Sequence, residues 1–217
     1  MFYESGRLET VERANLASKL GGNIFAKKFK DFAVIITWHN PSHLKKNGSN
    51  LKKIDTIQCI GSKVGMASVG ITSDASFVAN SLVEDNLDNG HVYGKEIAAS
   101  HFAKRLARAC HDRTLSRSYR PLGIRSCFVG YSETAEECEI FEVDCFGNLY
   151  SCESCCIGPQ AESLLMFKFP NCNNIEDIFQ TCKDVVKAIS NKQGSADKVP
   201  ISIGLVGKNY DFTVYME

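Results

Sequence analysis

The sequence predicts an α+β fold in which two β-sheets are stacked between layers of helices. Paired strands alternate along the chain with paired helices, and neither an internal repeat nor a linker divides the 217 residues. A chain of this length suits one domain, because a single hydrophobic core grows efficiently up to about 250 residues. We therefore treat residues 1–217 as one domain, with residues 1–22 forming an amino-terminal segment and first helix.

The first predicted element is an amphipathic helix over residues 8–20. Thr10 can cap it, and Gly21 and Gly22 follow it as a stop signal. Its apolar positions recur at three-residue steps: Leu8, Val11, Ala14, Ala17 and Leu20. Because this stripe is thin and rich in alanine, the helix is marginal alone and needs a surface to lie on.

The other elements follow from runs of apolar residues. Residues 32–38 are apolar almost throughout, which is typical of a strand buried on both faces. The remaining predicted strands are 54–60, 63–69, 124–131, 138–143, 149–152, 201–206 and 212–215, the first two forming a hairpin around Gly61 and Ser62. The remaining predicted helices are 73–87, 95–112, 159–169 and 175–191, with a turn at residues 88–90 between the first two.

Composition excludes several classes of protein. Lys+Arg and Asp+Glu both number 25, so no overall field attracts nucleic acid or an anionic membrane. No apolar run approaches the roughly 18 residues of a membrane span, and the amino end lacks the apolar core of a secretory signal. The ten cysteines are therefore expected to be mostly free thiols in a reducing, intracellular protein.

A zinc site is the alternative interpretation of part of this cysteine content. Cys152 and Cys155 have the C-x-x-C spacing that supplies two ligands of a structural zinc. His39 and His43 lie more than a hundred residues upstream, and no second C-x-x-C accompanies the nearer Cys145. We therefore expect neither a metal nor a cofactor, and one equivalent of zinc in purified protein would overturn this expectation.

A basic stretch occupies the second long helix and its exit. It consists of Lys104, Arg105, Arg108, Arg113, Arg117 and Arg120. Binding of single-stranded nucleic acid requires interleaved aromatic rings, and only Tyr119 is nearby. We expect a solvated or interface surface instead, on a helix whose other side buries Ile97, Phe102, Leu106 and Cys110.

Several strings, in this order, resemble the proteasome subunit family. FYESGRLETVERA at residues 2–14 resembles the α-type string F-S-P-E-G-R-L-x-Q-V-E-Y-A, and DFAVI at residues 31–35 resembles the strand that follows. GITSDA at residues 70–75 is similar to G-L-T-A-D-A, and RPLG at residues 120–123 with Gly130 and Tyr131 is similar to R-P-[FYL]-G with G-Y downstream. Ile157 and Gly158 match a turn before the penultimate helix. The carboxy-terminal residues 202–215 are most similar to the α6-position subunit.

The resemblance covers nearly the whole chain and implies a function. It implies the four-layer α-β-β-α sandwich of N-terminal nucleophile hydrolases, and a non-catalytic subunit in a seven-membered α-ring of the proteasome core particle. Such a subunit supports assembly, control of substrate access and docking of a regulatory particle in ubiquitin-dependent protein degradation. Its partners would be other α subunits and the β-ring, in the cytoplasm and nucleus, and the stripe of the first helix would face the ring.

Catalytic members of the family use an amino-terminal threonine as the nucleophile. Thr10 lies inside the predicted helix, so we expect that the chain has no catalytic residue and is not an enzyme. The alternative is a self-contained N-terminal nucleophile hydrolase, which would need processing that exposes Thr, Ser or Cys.

The chain also departs from the family pattern. The α-type subunits carry a tail with a Tyr-Asp-Arg-like motif, whereas only Met1 precedes the first string, so we expect a smaller contribution to a closed gate. Arg13 replaces the tyrosine of E-Y-A. The family's pocket lysine, which receives activator carboxy termini, aligns with Lys53 if a short gap is allowed and with Thr56 if it is not.

Overall fold

The computed structural model describes residues 6–38, 56–95, 97–159 and 200–216, together with positions 177, 179–181, 183, 184 and 186. Three helices lie wholly within this part: α1 (Glu9–Ser18), α2 (Thr72–Tyr93) and α3 (Ala99–Leu115). The strands described are β1 (Asn23–Lys28), β2 (Phe32–Trp38), β3 (Ile57–Gly61), β4 (Val64–Gly70), β5 (Ile124–Ser132), β6 (Glu137–Val143), β7 (Leu149–Ser151), β8 (Ser154–Ile157), β9 (Ile201–Gly207) and β10 (Tyr210–Met216). The described positions between 177 and 186 are helical.

The strands form two antiparallel five-stranded sheets. Sheet A has the order β10-β9-β2-β1-β8, and sheet B has the order β3-β4-β5-β6-β7. Strand β2 lies at the centre of sheet A and is buried along its whole length, which confirms the prediction from its apolar run. Neighbouring strands also follow one another closely in sequence, except in the pairs β1–β8, β2–β9 and β4–β5.

Three apolar layers hold the sheets and helices together. Alternate residues of β2 belong to different layers: Ala33 and Ile35 pack between the two sheets, whereas Val34 and Ile36 pack on the outer face of sheet A. Helices α2 and α3 cover the outer face of sheet B, and helical residues Phe179 and Val186 pack on the outer face of sheet A. The order of layers is therefore α-β-β-α, as predicted.

Phe212 connects the two sheets near one edge. A Cβ added to Gly65 of sheet B would lie 1.9 Å from the Phe212 ring, and one added to Gly204 of sheet A would lie 2.7 Å from it. The Phe212 N–H donates a hydrogen bond to the Ser62 carbonyl at 2.7 Å. The ring therefore fills space that the two glycines leave between the sheets.

The sequence analysis missed two strands, β1 and β8. Its prediction of a turn at residues 88–90 was wrong, because α2 continues through them. Buried Asn86 explains the continuation, because its Nδ2 donates to the Ile60 carbonyl at 3.3 Å and its Oδ1 accepts from Ile97 N–H at 3.0 Å. The helix ends instead at Gly94, whose φ of 63° is left-handed.

Residues 160–169 of the predicted helix 159–169 lie outside the described part. The predicted helix 175–191 is described only at the positions given above. Among the described helices, none is long and apolar enough to cross a membrane.

Candidate assembly surface

Helix α1 begins at Glu9, directly after the N-cap position Leu8, which provides no side-chain cap. Thr10 lies exposed in the first turn, so the prediction that it caps the helix was wrong. Arg13, which stands where the family string has tyrosine, forms an ion pair with Glu9 one turn earlier. Such an exposed pair contributes little to stability, so Arg13 mainly changes the charge that the helix presents.

The five predicted stripe residues do not share one face of α1. Val11 and Ala14 are buried, Leu8 and Ala17 are half-buried, and Leu20 is 68% exposed. Within the helix, successive residues turn by about 100°, so a three-residue step falls about 60° short of a full turn and the stripe drifts around the helix. Leu20 lies beyond α1, which ends at Ser18. The structure therefore supports an inward role for Val11 and Ala14 and an outward role for Leu20.

Two residues that the stripe omitted complete these two sides. Ser18 is fully buried and lies about 20° around the helix from Val11, whereas Leu16 lies about 140° from it and is 64% exposed. The Ser18 hydroxyl donates to the Asn15 carbonyl at 2.9 Å, a local bond that partly satisfies it within the helix. Counting residues at the 3.6-residue period, rather than at three-residue steps, would have identified both.

The inward side of α1 rests on the ends of β4 and β5. A Cβ on Gly70 (φ 114°) would lie 2.1 Å from the Gly123 carbonyl oxygen and 3.0 Å from the Ser18 Cα. A Cβ on Gly123 would lie 2.7 Å from the Ile71 side chain and 3.3 Å from the Ala17 Cβ. Because both positions lack a side chain, the last turn of α1 approaches the two strand ends closely. We call these contacts of Ala17 and Ser18 with Gly70 and Gly123 the α1 seat.

An ion pair beside the α1 seat joins two of the strings that resemble the family. Arg120 donates from Nη2 to Asp74 Oδ1 at 2.5 Å and from Nη1 to Asp74 Oδ2 at 2.7 Å. Asp74 Oδ2 also accepts from the Gly123 N–H at 3.1 Å. One carboxylate therefore fixes both an arginine and the backbone of the seat, although Asp74 and Arg120 are far apart in sequence.

The charge state of Asp74 reflects these contacts. Burial of the carboxyl favours its neutral form, but the hydrogen bonds from Arg120 and from the Gly123 N–H, with the charges of Arg120 and Arg113, lower the pKa of Asp74 below its ordinary value. The side chain is almost entirely buried, whereas that of Arg120 is more than half exposed. The carboxylate is therefore ionised wherever the chain is folded near neutral pH.

Arg113 lies between two exposed aromatic rings on the same side of the molecule. Its guanidinium carbon is 5.6 Å from the ring centroid of Phe77 and 5.6 Å from that of Tyr119. Both rings are mostly exposed. Phe77 was absent from the sequence argument because α2 brings it to Arg113 only in the folded chain.

The rest of the basic stretch behaves largely as predicted. Phe102, Leu106 and Cys110 are buried on the inner side of α3, and Ile97 is half-buried before it. On the outer side, Arg105 pairs with Asp85 of α2 at 2.6 Å, and Lys104 and Arg108 are exposed.

A small cleft opens beside the α1 seat. It has a volume of about 190 Å³, and its described lining includes Gly21, Thr56, Gln58, Ser68 and Ser76. The Thr56 hydroxyl donates to the Thr37 hydroxyl at 2.7 Å. The residues described as lining the cleft are uncharged, and Lys53, the predicted pocket lysine, lies outside the described residues.

The described cysteines support the free-thiol interpretation. The eight described cysteines lie outside disulfides, and the described residues contain no group of three or more His, Cys, Asp or Glu side chains arranged to hold a metal ion. Cys145 lies against the buried Ser18 hydroxyl, and burial raises the pKa of its thiol. His39 and His43 lie outside the described residues.

Two antiparallel sheets stacked between helical layers, with α1 across the strand ends, define an α-β-β-α sandwich. A model of the proteasome subunit family matches residues 18–203, so the chain belongs to that family. Its relatives are of the α type. It is 27% identical over 222 residues to proteasome subunit alpha type-1 of Dictyostelium discoideum, covering 100% of this chain and 87% of the relative.

Further relatives carry other α-type names. The Drosophila melanogaster subunit alpha type-1 is 27% identical over 96% of this chain and 75% of its own length. The probable subunit alpha type-6 of Schizosaccharomyces pombe is 23% identical over 97% of this chain and 76% of its own length. The α type is therefore confirmed, whereas the α6 position is not supported, because the type-6 relative is no more similar than the type-1 relatives.

Proposed function

We propose that the chain is a structural, non-catalytic subunit of the α-ring of the proteasome core particle and acts in protein degradation. The observation that carries this proposal is the difference between the two sides of α1: its inner side closes the strand ends at Gly70 and Gly123, whereas Leu16 on its outer side is exposed, as is Leu20 just after the helix ends. A neighbouring subunit that covered these two leucines would remove apolar surface from water, which favours association. Other α subunits and the β-ring are the partners that the family implies.

Incorporation into the particle tests this proposal. A chain with Leu16→Asp and Leu20→Asp is co-expressed with the other core-particle subunits, and native mass spectrometry measures its share of assembled rings. We expect incorporation to fall at least about tenfold, because two buried charges would face the neighbour. The control is Leu87→Asp, a substitution at an exposed leucine in the carboxy-terminal half of α2, and this variant should incorporate normally. Equal incorporation of both variants would contradict the proposal.

The absence of catalysis is part of the same proposal. Thr10 is an internal residue of α1, and an amino-terminal nucleophile needs its own free α-amine as the base. We expect the mature chain to keep the residues that precede α1 and to resist covalent probes for threonine nucleophiles. Intact mass of the chain in the particle tests this: a new amino terminus at Thr, Ser or Cys with labelling by such a probe would establish the self-contained hydrolase instead.

Docking of a regulatory particle is a further part of the proposal, and the cleft beside the α1 seat is its candidate position. The uncharged lining means that a carboxy terminus would need a cation from elsewhere, and Lys53, three residues before Thr56, is our candidate. We expect Lys53→Ala to weaken binding of an activator's carboxy-terminal peptide to the assembled particle by about tenfold. Lys52→Ala is the neighbouring control. A gain of binding in Thr56→Lys, with no effect of Lys53→Ala, would show that this chain lacks the pocket cation.

The ring position rests on the resemblance of residues 202–215, and of residues 114–119, to the α6-position subunit. Crosslinking of assembled rings followed by peptide mapping would identify the two neighbours and decide it. We also propose that the chain resides in the cytoplasm and nucleus and binds neither nucleic acid nor membranes. Fractionation of cells that carry a tagged chain, with and without nuclease, tests these points together.

A further inference from the structure

The chain crosses from one sheet to the other between β7 and β8. Strand β7 ends sheet B at Ser151, and β8 begins in sheet A at Ser154. Cys152 is tied to sheet B, because its N–H donates to the Ile140 carbonyl at 3.1 Å. Cys155 is tied to sheet A, where it pairs with Ala26 of β1. The two cysteines therefore stand on opposite sides of the crossing.

The thiols of Cys152, Cys155 and Cys127 share the apolar layer between the sheets. Cys155 Sγ donates to Glu142 Oε2 at 3.3 Å, and Cys152 Sγ donates to the Ile140 carbonyl at 3.9 Å. Cys152 is half-buried, whereas Cys155 is 2% exposed. Of Cys152 and Cys155, only Cys152 is therefore open to a reagent from solvent.

We propose that Cys152 and Cys155 are a redox pair that forms an intramolecular disulfide across the junction of the two sheets. The oxidant is a small disulfide such as oxidised glutathione. The Cys152 thiolate attacks it, forming a mixed disulfide and releasing one glutathione thiolate. Cys155 Sγ then loses its proton, through Glu142 to solvent, and attacks Cys152 Sγ, releasing the second glutathione. Two protein thiols and one oxidised glutathione give one protein disulfide and two reduced glutathiones.

The surroundings of the pair set its rate. The pKa of the Cys152 thiol is raised by its hydrogen bond with Cys155, by burial and by nearby negative charge, and the pKa of Cys155 is raised as well. Because the thiolate is the nucleophile, both residues react more slowly at neutral pH than an ordinary exposed cysteine, and the rate rises with pH. The pair therefore responds to sustained oxidation rather than to a brief pulse.

Mass spectrometry of the full chain, in its assembled particle, tests the proposal. After incubation with oxidised glutathione we expect the chain to lose the mass of two hydrogen atoms, and a peptide map to show a Cys152–Cys155 link that reductant reverses. The rate should increase about tenfold for each pH unit between pH 7 and 8, as the thiolate fraction does. Cys152→Ser should abolish the link, whereas Cys59→Ser, an exposed cysteine on β3, should leave it unchanged.

The wild-type peptide map carries the test even if a substitution at buried Cys155 impairs folding. A glutathione adduct at Cys152 that persists without resolution would overturn the proposal. So would a Cys127–Cys155 link with Cys152 still reduced, or an unchanged mass after oxidation at pH 8.

Discussion

The two sides of helix α1 differ in almost every property that determines how a residue contributes to a protein. The inner side packs on Gly70, where an added Cβ would collide with backbone, and on Gly123, where it would collide with the Ile71 side chain. Leu16 on the outer side, and Leu20 just after the helix, are mostly exposed. One short helix therefore has two roles: its inner side packs on the rest of this subunit, and its outer side is free to contact another subunit. Substitutions on the two sides should therefore fail in different assays.

The largest effect is expected at the α1 seat. Gly70→Ala places a Cβ 2.1 Å from the Gly123 carbonyl oxygen at a φ of 114°, so it combines a backbone collision with a strained conformation. We expect the free energy of unfolding to fall by about 3 kcal/mol or more. Chemical denaturation of the soluble chain, or its yield where the variant does not fold, measures this.

Gly90→Ala is the matched control for this prediction. Gly90 lies within α2, and a Cβ there would meet nothing within 4 Å. Because alanine favours helix more than glycine does, this variant should be more stable by about 0.5–1 kcal/mol. A loss of stability at Gly90 equal to that at Gly70 would show that glycine flexibility, not close packing, matters at both positions.

The second effect concerns the ion pair beside the seat. Asp74→Asn keeps the shape of the side chain but removes the charge that accepts both Arg120 bonds. We expect a loss of about 1–3 kcal/mol at pH 7, the usual range for a buried acceptor of charged hydrogen bonds. Because Arg120 is more than half exposed, solvent screens its charge. We therefore expect the Asp74–Arg120 ion pair to contribute toward the lower end of that range.

The pH dependence of this loss gives an independent check. The pKa of Asp74 is lowered in the folded chain, so its contribution is fully present above the unfolded value of about 3.9 and is lost as the pH falls through the lower, folded value. The difference in unfolding free energy between wild type and Asp74→Asn should be constant from pH 8 to 5 and shrink below about pH 4. A difference that grew with acidity would mean that the carboxyl is protonated in the native state.

How far the sequence alone predicts this region depends on whether a feature is local. The central strand β2 was predicted because seven consecutive residues are apolar enough to be buried on both faces. The ion pair was not, although RPLG and GITSDA were both noted, because nothing in either string says that Asp74 and Arg120 meet. Strand β1 was missed for a similar reason: Lys27 and Lys28 weaken its apolar pattern, and its position between β2 and β8 decides its conformation.

The same limit applies to the end of α2. Local turn preference at residues 88–90 favours a break, but the two hydrogen bonds of Asn86 come from β3 and from the segment before α3, which tertiary structure alone brings there. The outward position of Leu16 on α1 was predictable in principle, because the helical period places it about 140° from Val11. The Cys152–Cys155 spacing was visible in the sequence. That both side chains lie in the apolar layer between the two sheets could be seen only once the strand order was known.

The smallest effect on stability, and the sharpest division between the two sides, is expected from a matched pair within α1. Val11→Ala removes two methyl groups from a buried position and should cost about 1 kcal/mol in unfolding free energy, whereas Leu16→Ala, on the exposed side, should change it by less than about 0.5 kcal/mol. In the ring-incorporation assay the order should reverse, with Leu16→Ala the more impaired. Because alanine is the better helix former at both positions, helix propensity cannot produce that reversal. Equal losses of stability would instead mean that isolated chains already cover Leu16 by self-association, and dilution of the sample would then separate the two variants again.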